Sequence, residues 1–214
     1  MKNYLAEYLG TALLLTIVTG SGIMGDSLGA GNSAVALLGN SIATGAGLYV
    51  LITLLGPISG AHFNPVVSFV AWRIGNLELK EMIGYWGVQF SGAITGIWLT
   101  HMMFHLPIIQ ESVKARTGLG IWLSELISTI VLLSVIHIGE KAVKEKIPML
   151  VALTVTSGYW FTSSTFFANP AVALARSFTN TFVGIAPSDV FGFILFEIIG
   201  TLVVVEIFKV IDKK

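Results

Sequence analysis

Two asparagine–proline pairs are the residues with the most chemistry to offer. Asn64-Pro65 lies in Gly60-Ala61-His62-Phe63-Asn64-Pro65-Val66, and Asn169-Pro170 in Thr165-Phe166-Phe167-Ala168-Asn169-Pro170-Ala171. An asparagine oxygen caps the first free N–H groups of a helix. Proline suits the first helical position, where its missing N–H is not needed. Each pair therefore predicts a short helix, over Pro65–Ile74 and Pro170–Phe178. Both pieces are apolar but too short to cross about 30 Å of hydrocarbon. Such segments are tolerated at bilayer depth only when buried in protein or lining water. If both lie there, two positive helix ends and two side-chain amides face one small volume. Capping alone would explain a single pair; the duplication favours capping plus contact with a pore.

Three carboxylates sit inside otherwise apolar sequence: Glu7, Glu125 and Glu197. Intramembrane acids mark function by default. For Glu7 and Glu125 a structural role reads better, as acceptors for N–H groups of irregular loops that lipid cannot satisfy. Glu197 aligns with Gln89 of the first half. It is expected to pair with a polar group at a helix contact, to carry a proton, or to act in pH gating. His101 and His105 have the i, i+4 spacing of a zinc pair. With no neighbouring carboxylate they read as interfacial, and no metal site is expected. The chain has no cysteine, which excludes disulfides and thiolate chemistry. No nucleophile–base set or metal triad falls at membrane depth, so an enzyme is disfavoured.

The elements that must position these residues are membrane spans. Of 214 residues 54% are hydrophobic and only 11% charged, and the mean hydropathy is +0.83. A soluble domain carries about 25% charged residues. Net charge is zero, so nothing implies a nucleic-acid partner. Six stretches are long enough to span: Leu5–Ile23, Ala34–Leu55, Met82–Phe104, Gly118–His137, Pro148–Thr165 and Val190–Val210. The first keeps a glutamate and lacks a convincing cleavage site, so it reads as a mature helix rather than a signal peptide. Small residues such as Gly45, Gly47, Gly92 and Gly96 predict close helix packing.

With an even number of spans both termini share a side. Lys2, Arg73, Lys80, Lys141, Lys144, Lys146, Lys209, Lys213 and Lys214 fall there; Lys114, Arg116 and Arg176 fall opposite. The excess puts both termini in the cytoplasm. The halves also echo one another: Glu7 with Glu125, Asn64 with Asn169, Gln89 with Glu197. Three spans per half means that 118–214 enters the membrane inverted relative to 1–117, within one domain. Inverted repeats place their sites at the midplane, with half-helix ends aimed at them.

These residues resemble the aquaporin, or major intrinsic protein, family along essentially the whole chain. Ile58-Ser59-Gly60-Ala61-His62-Phe63-Asn64-Pro65-Val66 is close to the family's first Asn-Pro-Ala loop, and Asn169-Pro170-Ala171 matches the second fully. The paired glutamates Glu7 and Glu125 match as well. The resemblance implies an all-α membrane protein with six transmembrane helices and two re-entrant half-helices in inverted repeats. It also implies one pore per subunit, a homotetramer in lipid, passive permeation of water or small neutral solutes, and no cofactor. His62 belongs to the loop motif and braces it. Counting by the family's spacing, the constriction residues are Thr44, Ser157, Phe166 and Val172. Many members have arginine where Val172 stands, so this filter is expected to be wider and neutral. It resembles a bacterial branch, some members of which are associated with arsenic resistance, which points to a bacterial inner membrane.

The expected mechanism is simple. Carbonyls of Gly60, Ala61, His62, Phe166 and Phe167 accept along one wall, the Asn64 and Asn169 amides donate, and the half-helix dipoles oppose cations. Arg176, one turn beyond Val172, is either a vestibule cation that draws partly anionic solutes or a residue satisfying loop carbonyls or Asp189. The leading reading is a channel for water, glycerol-like polyols and metalloid hydroxides such as arsenite. The alternative is a proton-coupled secondary transporter with Glu7, Glu125 or Glu197 in a relay.

Overall fold

Apolar runs become long helices because a segment at bilayer depth has no water for its backbone and must satisfy its own N–H and C=O groups. The computed structural model describes residues 1–212 and contains no strand among them. Its helices are α1 (Lys2–Leu28), α2 (Ser33–Ser59), α3 (Pro65–Arg73), α4 (Leu79–Met103), α5 (Leu119–Ala142), α6 (Ile147–Phe161), α7 (Pro170–Ala175) and α8 (Pro187–Ile211). A 3₁₀ turn over Arg176–Phe178 prolongs α7. Lys213 and Lys214, counted above for orientation, lie outside the described residues.

α1, α2, α5 and α8 are long and apolar enough to cross a membrane on length and composition. α4 is as long but carries Gln89, Ser91, Thr95, Thr100 and His101. α6 has only 15 residues, about 22 Å at 1.5 Å per residue. It stops at Phe161 rather than at the expected Thr165. Thr162 is extended, at φ −113° and ψ 141°, and its hydroxyl donates to the Gly158 carbonyl at 2.7 Å. The chain then runs as a loop back to Asn169.

The packing repeats itself. α1 lies along α2 and α4; α5 lies along α6 and α8; α2 meets α6 between the halves. α3 packs on α4 and α8, and α7 on α8 and α4. Glycine makes the closest crossings possible: a Cβ on Gly96 would stand 2.2 Å from the Ala12 carbonyl oxygen, and one on Gly45 1.9 Å from Thr156 Oγ1. Leu5, Leu9, Leu13, Ile42, Leu54, Ile83 and Leu123 face outward, whereas Glu7, Gln89, Glu125 and Glu197 are fully buried. Apolar residues outside and polar groups inside reverse the water-soluble pattern. They fit an integral membrane protein, whose outer solvent is lipid.

Candidate functional site

The two loops before α3 and α7 have the same backbone. α2 ends at Gly60, φ 89°, a left-handed position that glycine tolerates. Ala61 (φ 50°) and Phe63 (φ 49°) follow; Thr165 (φ 68°), Phe166 (φ 56°) and Ala168 (φ 48°) lead to the second asparagine. The left-handed residues thus stand four, three and one positions before each asparagine. Such a backbone costs a non-glycine residue about 1–3 kcal/mol and persists only where its surroundings enforce it.

Buried carboxylates enforce it here. Glu7 Oε1 accepts from Ser59 Oγ at 2.7 Å and His62 N at 2.9 Å; Oε2 accepts from Phe63 N at 2.7 Å and Gln89 Nε2 at 2.9 Å. Glu125 accepts from Phe167 N at 3.1 Å and Ala168 N at 2.8 Å. Glu197 Oε1 accepts from Asn169 N at 2.9 Å. Its Oε2 has no donor among the described residues. His62 sets its Nδ1 3.0 Å from Ser68 Oγ and its ring edge-on to Tyr85.

The asparagines start the half-helices and also tie the loops together. Asn64 Oδ1 accepts from Val66 N at 3.0 Å; Asn169 Oδ1 accepts from Ala171 N at 3.0 Å and Val172 N at 3.3 Å. Asn64 Nδ2 donates to the Ala168 carbonyl at 2.7 Å, and Asn169 Nδ2 to the Phe63 carbonyl at 2.9 Å. Each amide has two hydrogens, so each keeps one after this crossed pair. Pro65 and Pro170 take the first helical positions. Val66 is buried in an apolar cluster with Leu133 and Val204, which gives its extra methyl groups a place.

A cavity of about 560 Å³ runs past both asparagines. One end is lined by Thr44, Tyr159, Phe166, Val172 and Arg176, the other by Asn76, His137, Glu140, Lys141 and Lys144. Beside the second end, Lys141 and His137 hold Asp212 at the end of α8, and the Lys141 hydrogen bond keeps that carboxyl below its ordinary range. Gly60, Ala61, His62, Phe63 and Phe167 also line the cavity.

One expectation needs correction. Ser157 does not line this cavity: it is exposed and its hydroxyl donates to the Thr154 carbonyl at 2.9 Å. The inward face of α6 is Val151, Val155 and Tyr159, spaced one turn apart, and Tyr159 Oη sits 3.2 Å from Thr44 Oγ1. Helical periodicity puts Ser157 on the far side. Ser157→Ala should leave solute flux within about twofold of wild type, whereas Tyr159→Ala changes it by about fivefold or more, roughly 1 kcal/mol of barrier. Stopped-flow flux checks this, and a large Ser157→Ala effect would return that residue to the lining.

Arg176, read as a vestibule cation or as a residue satisfying loop carbonyls or Asp189, lines the cavity beyond the expected filter set. Arg176 does not pair with Asp189; its Nε donates to the Val183 carbonyl at 2.5 Å and its guanidinium lies 3.5 Å from the Phe167 ring centre, against the cavity. His101 and His105, both expected to be interfacial, differ. His101 is buried, with Nδ1 2.8 Å from the Ile108 carbonyl and Nε2 2.8 Å from Thr179 Oγ1, while His105 is exposed. A carbonyl only accepts, so Nδ1 carries the hydrogen. His101 therefore pins the α4–α5 loop. Among the described residues no three histidine or acidic side chains gather as a metal site. Tyr159 was legible as the third member of a one-turn series along α6, whereas the family count back from Asn169 falls on Ser157.

The chain is similar to known proteins. The model of the family described as "Major intrinsic protein" matches residues 1–211. The chain is 52% identical over 201 residues to "Aquaglyceroporin AqpS" of Rhizobium meliloti, covering 94% of this chain and 86% of the relative. It is 33% identical over 177 residues to "Probable glycerol uptake facilitator protein" of Thermotoga maritima, covering 73% of each. The fold superposes on the X-ray structure of the aquaglyceroporin from Plasmodium falciparum with a TM-score of 0.73, at 24% identity, over 97% of this chain and 94% of that one.

Proposed function

From the premise that the chain belongs to the major intrinsic protein family, as a membrane channel for water and small solutes and not an enzyme, we propose that its cargo is broad. Small neutral hydroxylated solutes, glycerol-like polyols and arsenite among them, pass together with water. The observation that carries this is the crossed pair of asparagines in a mostly apolar cavity. Each amide keeps one donor free at the waist, and the left-handed loops supply carbonyl acceptors. A solute with several hydroxyl groups exchanges water for these partners in sequence, while its carbon skeleton lies along Leu48, Val67 and Val155. Arsenite, a neutral trihydroxide near pH 7, offers the same hydroxyl pattern as a polyol. The names of the two curated relatives favour the polyol part of this list.

The filter we propose is Thr44, Tyr159, Phe166 and Val172, with Arg176 just beyond. Val172 leaves room that a long cationic side chain would fill. The half-helix N-termini meet at the asparagines and disfavour cations there. We also propose that residues 1–117 and 118–214 are inverted copies, which the repeated contacts and loop angles support. The further readings are a homotetramer in the bilayer, a bacterial inner-membrane location, and cytoplasmic termini, the last on the lysine distribution. Glu197 acts as a positioning group for Asn169 rather than as a gate.

Proteoliposome flux tests this. Water, glycerol, urea and arsenite should move down their gradients with no accompanying proton movement. Glu197→Gln should leave the pH dependence of flux unaltered. Proton uptake locked to solute entry would establish the transporter reading instead, and a lost pH dependence in Glu197→Gln would make that residue a gate.

A further inference from the structure

The loop between α4 and α5 brings two cations, Lys114 and Arg116, to a third, Arg176, at the end of α7. Three consecutive carbonyls gather them. Lys114 Nζ donates to Phe182 O at 2.6 Å, Arg176 Nε to Val183 O at 2.5 Å, and Arg116 Nε to Gly184 O at 2.8 Å. Among the described residues no carboxylate forms an ion pair with any of the three. Asp189 approaches Arg116 but accepts its backbone N–H, at 2.7 Å. Carbonyl dipoles hold these like charges together without neutralising them, and the repulsion is weakly screened away from bulk water.

Arg176 gives the cluster a direction. It is only 2% exposed, and among the described residues Nε is the one guanidinium nitrogen with a protein partner. The two terminal nitrogens have no such partner, yet they are not sealed off, because the side chain lines the cavity. One face of the guanidinium is covered by Phe167. A guanidinium held flat, with its terminal fork facing open space, matches the paired oxygens of an oxyanion.

We infer that the Arg176 end of the cavity is a binding site for a small tetrahedral oxyanion, seated on the Arg176 fork and drawn in by Lys114 and Arg116. An occupant there stands in the path of neutral solutes and slows their entry, so the site makes permeation sensitive to anions in the surrounding medium. The inference goes beyond the proposed cargo and rests on the channel reading only for this consequence. Flux without the anion tests that reading; the anion's effect tests this one.

The site should also weaken in alkaline medium. Burial pushes the Lys114 ammonium down to about 8, helped by Arg116 on its own loop and Arg176 beyond α7, and opposed by Asp26 at the end of α1. Lys114 is charged below that pH and neutral above it, so attraction for the anion falls as pH rises through it.

Sulfate is the probe, because its charge does not change across this range. Glycerol flux is measured in phosphatidylcholine liposomes holding the full chain, with sulfate replacing gluconate at equal ionic strength. Sulfate binding to the purified protein is followed by calorimetry in parallel. At about pH 7 sulfate should slow glycerol saturably, and Lys114→Gln should weaken its apparent affinity at least about fivefold. At about pH 9 the wild type should approach the variant. Lys114→Arg should keep the effect and lose its pH dependence. The sulfate-free flux of each variant is its own reference and reports whether it has folded. No difference from gluconate and no binding heat would overturn the site. So would an equal effect in Lys114→Gln at both pH values, which is the signature of screening alone. Loss of the sulfate effect on adding phosphatidylglycerol would assign the site to a lipid phosphate and overturn the soluble occupant.

Discussion

Glu7→Gln should abolish most solute flux while leaving a helical protein in the membrane. Glu7 is fully buried and its two oxygens receive four donors, from Ser59, His62, Phe63 and Gln89. A glutamine keeps one oxygen and turns an NH₂ group against the other two donors. Each buried donor left unsatisfied costs about 1–3 kcal/mol. The loop it holds has Ala61 and Phe63 in left-handed backbone, which carries its own strain. With the restraint gone the loop relaxes, the Phe63 carbonyl leaves Asn169, and the waist of the cavity loses its shape. Circular dichroism should change little, thermal stability should fall, and glycerol flux should drop by about tenfold or more. Wild-type flux in a folded Glu7→Gln protein would sink this account.

The same change at the other carboxylate should be milder. Glu125 receives one donor on each oxygen, from Phe167 and Ala168, so glutamine displaces only one. Its new NH₂ group also faces Glu197, whose Oε2 otherwise has no donor among the described residues. A partner is therefore waiting on one side and none on the other. Equal damage from Glu7→Gln and Glu125→Gln would mean that the carboxylate charge matters and the donor count does not.

Val172→Arg should narrow the cavity and separate water from larger solutes. Val172 lies in the first turn of α7 and lines the cavity with Phe166, Tyr159 and Thr44. An arginine there extends about three methylene groups and a guanidinium into a space that now holds only two methyl groups. The Arg176 guanidinium already stands on the same side, so the new charge is pushed toward the opposite wall. Glycerol, which needs the width, should lose about tenfold or more in flux, about 1.4 kcal/mol of barrier. Water should lose much less, since a single file passes a narrower opening. Stopped-flow shrinkage and re-swelling of the same liposomes give both rates, and equal losses would remove Val172 from the filter.

Local chemistry made several of these features readable. Asn-Pro is both cap and first-turn signal, so α3 and α7 begin at Pro65 and Pro170 as the pairs require. The roles of Glu7 and Glu125 followed from an accounting of backbone donors that lipid cannot serve. Val172 was visible because it stands three residues from a recognisable anchor within one continuous helix.

The failures share a cause as well. Ser157 was placed by counting across the loop that joins α6 to α7. A count along the chain does not carry helical phase past irregular backbone, and the phase of α6 puts Tyr159 inward instead. His101 reads as interfacial from its place near a helix end, yet it is buried, and its partners Ile108 and Thr179 come from a loop and from beyond α7. Lys114 and Arg116 registered only as loop charges that orient the chain.

The sequence by itself determined the membrane class, the spans, the two half-helices and the residues that anchor their loops. Each of these follows from local periodicity, capping or the need to satisfy backbone groups out of water. The tertiary structure alone decided which residues share the cavity wall, that each asparagine bonds the opposite loop, and that three cations meet along Phe182, Val183 and Gly184. Those contacts join residues far apart in the chain, and their geometry is set by helix phase and packing distance, which no local pattern records.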